Sequence, residues 1–253
     1  MAAQRKIAIA GATGRLGSQA VEVMRGRGHE IVPISRASGV DVISGEGLVD
    51  ALDGVEVVVD AATGPSPDQQ GATEFFTSSA ANLQRAAAEQ GVEEILVVSI
   101  IGIDHFRNGY YAAKAVHERV HREGPVPIRI LRAGQFHEFV AELLAWGTEG
   151  DTARVWAMQT QLVAARTVAE ALADLVDGAS GAPRGNPVSE VAGPREESLA
   201  EAAQLLVAKR GEGLRVEGVE IADDPEGILT AGALLPGPLA KLDGPSYEEW
   251  LGA

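Results

Sequence analysis

The chain is predicted to fold as an α/β protein: a Rossmann-like, doubly wound parallel sheet with a small C-terminal substrate lobe. Three observations predict this. Short, nearly continuous apolar runs alternate with helical patterns through the first half of the chain, as expected for parallel strands covered on both faces. The first run, residues 7–10, enters a glycine turn at once, Gly11-Ala12-Thr13-Gly14-Arg15-Leu16-Gly17, and then a helical stripe of Leu16, Ala20, Val23 and Met24. After Leu131 the alternation stops, so residues 1–133 are read as the nucleotide-binding unit and 134–253 as a lobe partly integrated with it.

The elements follow in order. The first helix is expected to run about three turns and end near Gly26-Arg27-Gly28. Residues 30–34 read as the second strand, 55–59 as a β-branched third, 95–98 as a fourth and 128–131 as a fifth; a short Val40-Asp41-Val42 adds a candidate between the second and third. An Ala-rich helix is predicted over 73–90, with Leu83 and Ala87 on one stripe and Gly91 as its stop. In the lobe, a helix over 136–146 precedes a polar turn at 147–151. Thr167 with Glu170 reads as a capping box opening a helix that carries Val168, Leu172, Leu175 and Val176 on one face. A Gly/Pro-rich link over 178–187 leads to a strand, and a second box, Ser198 with Glu201, opens a helix through Lys209. The tail from 223 is rich in Gly and Pro and carries Trp250.

Composition narrows the function. A chain of 253 residues, 45% hydrophobic and 23% charged, has enough apolar material for a sizeable core. The absence of cysteine excludes disulfides, thiolate catalysis and cysteine-ligated zinc. A net charge of −15 argues against a nucleic-acid partner. No apolar run approaches the roughly 18 residues of a membrane span, and the apolar piece after the N-terminus, broken by Gly11, is too short for a signal peptide. The expectation is a cytoplasmic protein with a small-molecule substrate and no membrane partner. The helices covering the sheet are compatible with a homodimer.

The glycine turn points to a dinucleotide. Glycines let the backbone turn tightly and let a pyrophosphate approach, while the following helix directs free N–H groups and the positive end of its dipole at that phosphate. Gly11, Thr13, Gly14, Arg15, Leu16 and Gly17 are therefore cofactor-binding candidates. The second strand ends in Ser35-Arg36 with no acid until Asp41. Arginine there suits a 2′-phosphate where an acid would suit a free ribose hydroxyl, so the expected cofactor is NADP(H).

A second constellation runs from Ser99 to Lys114. Ser99 lies at the carboxyl end of the fourth strand, where open parallel sheets place ligands. Tyr110 and Lys114, four apart on a helix, share a face. An ammonium beside the phenol would lower its pKa from about 10, making Tyr110 a proton donor and acceptor near neutral pH. Ser99 would hydrogen-bond the same substrate oxygen; Tyr111 is a neighbour in a less suitable register.

Together the Gly-x-x-Gly-x-x-Gly turn, Ser35-Arg36, Val97-Val98-Ser99 and Tyr110 with Lys114 resemble an atypical short-chain dehydrogenase/reductase of the NmrA-like NAD(P)-binding group. The likeness is strongest from Ile7 to Gln135, and Gly244-Pro245-Ser246-Tyr247-Glu248-Glu249-Trp250 is similar to that group's tail. The resemblance implies that Ala61, Ala62 and Thr63 lie along the cofactor, that Lys114 also anchors its ribose, and that the 131–137 segment, with Gln135, Phe136 and His137, lines the nicotinamide and substrate pocket. His105, between Ser99 and Tyr110, is a further substrate candidate. Some members of the group bind NADP with little catalysis, so a redox-sensing regulator is the alternative to an oxidoreductase acting on a small, largely apolar carbonyl, alcohol or quinone.

His117-Glu118-Arg119-Val120-His121 matches the H-E-x-x-H pattern of zinc peptidases. Lys114 one turn away would repel a metal, and a third ligand would have to come from Glu138 or Glu142. The expectation is therefore no metal and a charged outer face on a sheet-covering helix, with metallopeptidase a distant third function.

Overall fold

The five apolar runs of the first half become strands β1 (Lys6–Ala10), β2 (Glu30–Ile34), β3 (Val57–Asp60), β4 (Glu94–Ile100) and β5 (Ile128–Ala133) in the computed structural model, which describes residues 3–178, 188–220 and 227–253. Between them lie α1 (Arg15–Gly26), α2 (Leu48–Ala51), α3 (Gln69–Glu89) and α4 (Gly109–Glu123). Every residue of β3 is buried, as an interior parallel strand requires, whereas β2 buries only Ile34 and stands at the sheet edge. The apolar stripe of α1 is buried as expected through Leu16, Ala20, Val23 and Met24.

The second half contributes α5 (Phe139–Gly147), β6 (Thr148–Glu149), β7 (Thr152–Trp156), β8 (Gln159–Thr160), α6 (Ala165–Val176), β9 (Val188–Ala192), β10 (Glu197–Ser198), α7 (Leu199–Arg210), β11 (Arg215–Val219), β12 (Lys241–Leu242) and α8 (Tyr247–Gly252). A seven-stranded parallel sheet has the order β12-β9-β5-β4-β3-β1-β2, with β1 hydrogen-bonded between β2 and β3 and β3 followed by β4. This is the doubly wound Rossmann-like architecture. Because β1, β3 and β4 are parallel neighbours, their carboxyl ends open at one edge, where this class of sheet places its ligands.

The chain divides into two compact units. The first comprises residues 1–99, 106–132 and 168–189, the second 100–105, 133–167 and 190–253. The core of the first gathers Ala8, Ile34, Leu48, Val58, Leu83 and Ile95 between sheet and helices. The alanines of α3 let α4 pack close beside it, around Ala72, Phe76 and Ala113. The second unit carries a three-stranded sheet, β11-β7-β6, and a two-stranded one, β10-β8.

Three local expectations are corrected. Val40-Asp41-Val42 forms no strand; Asp41 instead accepts the Ile43 N–H in an Asx turn, and its own N–H bonds to Glu46. Thr167 is not an N-cap: α6 begins two residues earlier, and Thr167 is buried against Gly244. The polar turn near 150 is the connection of a small hairpin, β6 to β7. Ser198, by contrast, caps α7 through the Glu201 N–H, and Ser246 with Glu249 forms a reciprocal capping box on α8. The link over 178–187, apart from Gly178, lies outside the described residues, as do 223–226 of the tail. No helix among the described residues is long and apolar enough to cross a membrane.

Candidate active site

The opening turn is shaped by what its glycines leave out. Gly11 adopts φ +77, and a Cβ there would lie 2.8 Å from the Ala61 carbonyl oxygen, so the turn packs directly on the end of β3. A side chain on Gly17 would overlap the Gly11 carbonyl oxygen, which holds the first turn of α1 against the loop. Gly14 is the N-cap of α1; no side chain caps it and no acid lies in the first turn. The result is an uncapped helix N-terminus with Thr13, Gly14 and Arg15 exposed beside it, while Leu16 is buried beneath. This cradle fits a dinucleotide's pyrophosphate. At the same edge, Ala62 is buried and Thr63 exposed after β3.

Ser35 and Arg36 follow β2. Ser35 caps a single 3₁₀ turn, accepting the Ser38 N–H while Ser38 reaches back to the Ser35 N–H. That occupies much of the Ser35 hydroxyl's capacity, and Arg36 stands exposed on the turn.

The inner face of α4 differs from the expectation. Lys114 is 4% exposed and points into the protein. Its ammonium donates to the Val98 carbonyl at 2.8 Å and to His117 Nδ1 at 2.9 Å, and it sits 4.5 Å from the Phe76 ring centroid. His117 Nε2 and His121 Nε2 lie 2.9 and 3.0 Å from the same oxygen, Asp60 Oδ2, and Asp60 Oδ1 accepts the Ala62 N–H at 3.1 Å. One residue along, Glu118 takes a two-pronged contact from Arg132 of β5, both at 2.8 Å, and a third from Arg122 at 2.9 Å. The H-E-x-x-H segment is thus a buried charged interior, not a charged outer face. Asp60, His117 and His121 bring three ligand-type atoms within 4.8 Å of one another, so the third member is Asp60, not Glu138 or Glu142.

The electrostatics follow from this burial. Burial lowers the Lys114 ammonium to about 8 against the pull of Asp60 and Glu118. Burial, reinforced by Lys114, takes the His117 imidazole down to about 4, so it is neutral at physiological pH. Burial alone would push the Asp60 carboxyl up, but the two imidazoles outweigh it and hold it well below the usual range. Burial likewise opposes ionisation of Glu118, and Arg132 and Arg122 overcome it. Ser99 is 2% exposed, and its buried hydroxyl has no hydrogen-bond partner among the described residues.

Tyr110 is not acidified. Burial raises its phenol above 10, and the ring packs edge-on against Phe76 at 5.8 Å. Burial is the cause acting on this phenol, and the Lys114 ammonium is directed at Val98 and His117 instead. Tyr111 is raised further and packs on Phe106 at 4.6 Å. His105 is exposed on a 3₁₀ turn. Gln135 accepts from Thr160 at 2.5 Å, and Phe136 bridges to Val163. His137 is fully buried between the Tyr247 and Trp250 rings, which takes its imidazole down to about 4. The Asp60 hub was missed in the sequence; its placement at the end of a fully buried strand was the available signal.

Solved structures share this fold from end to end. A dTDP-4-dehydrorhamnose reductase (rfbD) from Bacillus anthracis in complex with NADP superposes with TM-score 0.73 at 17% identity, covering 99% of this chain and 98% of that one. The Bordetella bronchiseptica enzyme WbmH in complex with NAD+ gives 0.72 at 17%, covering 99% and 97%. MoeE5 in complex with UDP-glucuronic acid and NAD gives 0.70 at 17%, covering 98% and 96%. No curated protein matches the sequence. The profile of the NAD(P)H-binding family matches residues 11–177, from the first glycine of the turn to the end of α6. With that match over most of the chain, and with a glycine cradle shaped for a pyrophosphate, the chain belongs to the NAD(P)H-binding family, in keeping with its resemblance to the NmrA-like short-chain dehydrogenases/reductases.

Proposed function

We propose that the protein is an NADPH-dependent reductase of small, largely apolar carbonyl or quinone-type substrates. The observation that carries this reading is the Lys114 ammonium, buried at the Val98 carbonyl near the carboxyl end of β4, the edge where the glycine turn abuts the end of β3. A family cofactor seated on that turn extends along this edge. Bound NADPH supplies the hydride. Gly11, Gly14 and Gly17 hold the pyrophosphate, Arg36 pairs with the 2′-phosphate, and Ala61, Ala62 and Thr63 flank the nucleotide. Lys114 has used two of its three N–H donors, and the third serves the nicotinamide ribose.

Tyr110 is the proton donor to the substrate oxygen. The phenol is protonated at neutral pH and so able to donate, but burial makes it a weaker acid than an ammonium-paired tyrosine. Ser99, whose buried hydroxyl has no partner among the described residues, donates to the same oxygen. The rings of Phe76, Phe106, Tyr110 and Tyr111, clustered around the acid, favour an apolar substrate.

One observation favours a second reading, an NADP(H)-binding redox sensor: the lysine is bonded to Val98 and His117, and the tyrosine is not acidified. Tyr110→Phe separates the two. For a reductase, turnover of a quinone or ketone panel falls at least 100-fold with the Kd for NADPH unchanged; equal turnover in both proteins rejects Tyr110 as the acid. Arg36→Ala is expected to erase a preference for NADPH over NADH, and an unchanged ratio removes the 2′-phosphate assignment.

A further inference from the structure

The cluster beneath Lys114 is closed by hydrogen bonds whose directions can be worked out. The ammonium has only donors, so His117 Nδ1, 2.9 Å away, must accept. A neutral His117 then carries its proton on Nε2, which donates to Asp60 Oδ2. His121 reads the same way from its other side. Gln84 Oε1 accepts the Val126 N–H at 2.9 Å, which fixes the amide with its NH2 group toward His121, where it lies 3.0 Å from the backbone carbonyl and 3.5 Å from Nδ1. That NH2 also reaches the Val126 carbonyl at 3.3 Å, and because the Asp60 carboxylate can only accept, His121 Nε2 carries a proton aimed at the same oxygen.

These proton positions oppose a metal. Ligation of His117 through Nε2 would force its proton onto Nδ1, where it would meet the Lys114 ammonium, donor against donor. The same positions suit a cation brace. One carboxylate, fully buried, gathers two imidazole N–H groups and the Ala62 N–H, and supplies the counter-charge for a buried ammonium across a neutral ring.

We propose that Asp60, His117 and His121 form a metal-free brace in which His117 is the positioning residue of Lys114, fixing its ammonium at the Val98 carbonyl and, through Asp60, keeping it charged in the interior. The part that concerns the cofactor rests on the reading of Lys114 as its ribose anchor. The groups facing the ammonium are Asp60 from β3, the Phe76 ring from α3, the Val98 carbonyl from β4, and His117 and Glu118 from α4, the last neutralised by Arg132 of β5.

Two measurements on the full chain test this separately. Long-range ¹⁵N–¹H correlation spectra of the wild-type histidines read the brace without any mutation. His117 is expected as a neutral ring protonated at Nε2 and His121 with a proton on Nε2, both unmoved by one equivalent of Zn²⁺. Rings protonated at Nδ1, or Zn²⁺ bound stoichiometrically with a shift of both Nε2 signals, overturn it. The Kd for NADPH between pH 6.5 and 9.5 reads the link to the cofactor. Affinity is expected to weaken several-fold as pH rises through about 8, the value to which burial brings Lys114, to lose that transition in Lys114→Met, and to show it at least one pH unit lower in folded Asp60→Asn. The same midpoint in Asp60→Asn overturns the role of Asp60. A flat wild-type profile with the expected ring protonation overturns the cofactor link alone and leaves the brace standing.

Discussion

The opening turn and the inner face of α4 solve opposite problems. At the turn, function lies in the backbone: side chains are removed so that Gly11 can pack on Ala61 and Gly17 on Gly11, leaving an exposed helix end ready for an anion. On α4, function lies in side chains taken out of water, where Lys114, His117, Glu118 and His121 are each held by a named partner. An exposed cradle of amides costs little to maintain, because water satisfies it until a ligand arrives. A buried ion is stable only while its partner remains. Changes in the two regions should therefore read out differently, as lost stability on α4 and as lost binding at the turn.

Arg132→Met makes that contrast sharpest. It leaves Glu118 buried with only the half-exposed Arg122, and unfolding in urea is expected to show a loss of about 3–5 kcal/mol. A loss under about 1 kcal/mol would mean that this pair behaves as a surface pair. Acid acts next. His117 is neutral when folded, with its pKa near 4, but takes up a proton when unfolded near 6.5. Between those values the unfolded state binds more protons, so stability is complete above pH 6.5 and is lost as pH falls toward 4, by up to about 3 kcal/mol. His137 adds in the same direction. Urea melts at pH 7.0, 5.5 and 4.5 measure the slope, and His117→Gln should make it shallower; an identical slope in that variant would place the acid sensitivity elsewhere. At the turn, Gly17→Ala introduces a methyl against the Gly11 carbonyl oxygen, with an expected cost of about 1–3 kcal/mol and loss of NADPH binding together. Wild-type affinity in that variant would separate the cofactor from the cradle.

The same contrast explains what could be read from the sequence. The strand–turn–helix opening was legible because glycine spacing and apolar runs dictate backbone geometry directly, and β1, α1 and β2 lie where they were expected. Tyr110 and Lys114 were correctly placed on one helix, but their interaction was not. Helical spacing says which residues share a face, whereas Lys114 turns to the Val98 carbonyl of another element and to His117, itself bonded to Asp60. His117 and His121 were judged by a motif and by their charge. Their burial depended on α3, whose small alanines allow α4 to lie deep against it. The short strands of the second unit carry too few residues for a period-2 pattern, and β6, β8, β10 and β12 have two each. Thr167 failed as a cap for a related reason: its sequence pattern was right, and packing against Gly244 took the residue instead.

The most direct test of the cofactor seat is calorimetric titration of NADPH into Gly14→Asp, with Gly14→Asn as the uncharged control. Gly14 is the N-cap of α1, at φ −76 and ψ 173, a conformation open to any residue, and a Cβ there would be 3.2 Å from the Gly11 carbonyl oxygen, a contact relieved by a small shift. Aspartate is a favoured N-cap, so the melting temperature should hold or rise. Its carboxylate would nevertheless stand where the pyrophosphate belongs. We expect the Kd for NADPH to weaken at least tenfold in the aspartate variant and clearly less in the asparagine one. Wild-type affinity in a folded Gly14→Asp protein would contradict the account, because the nucleotide's phosphates would then lie somewhere other than the opening turn.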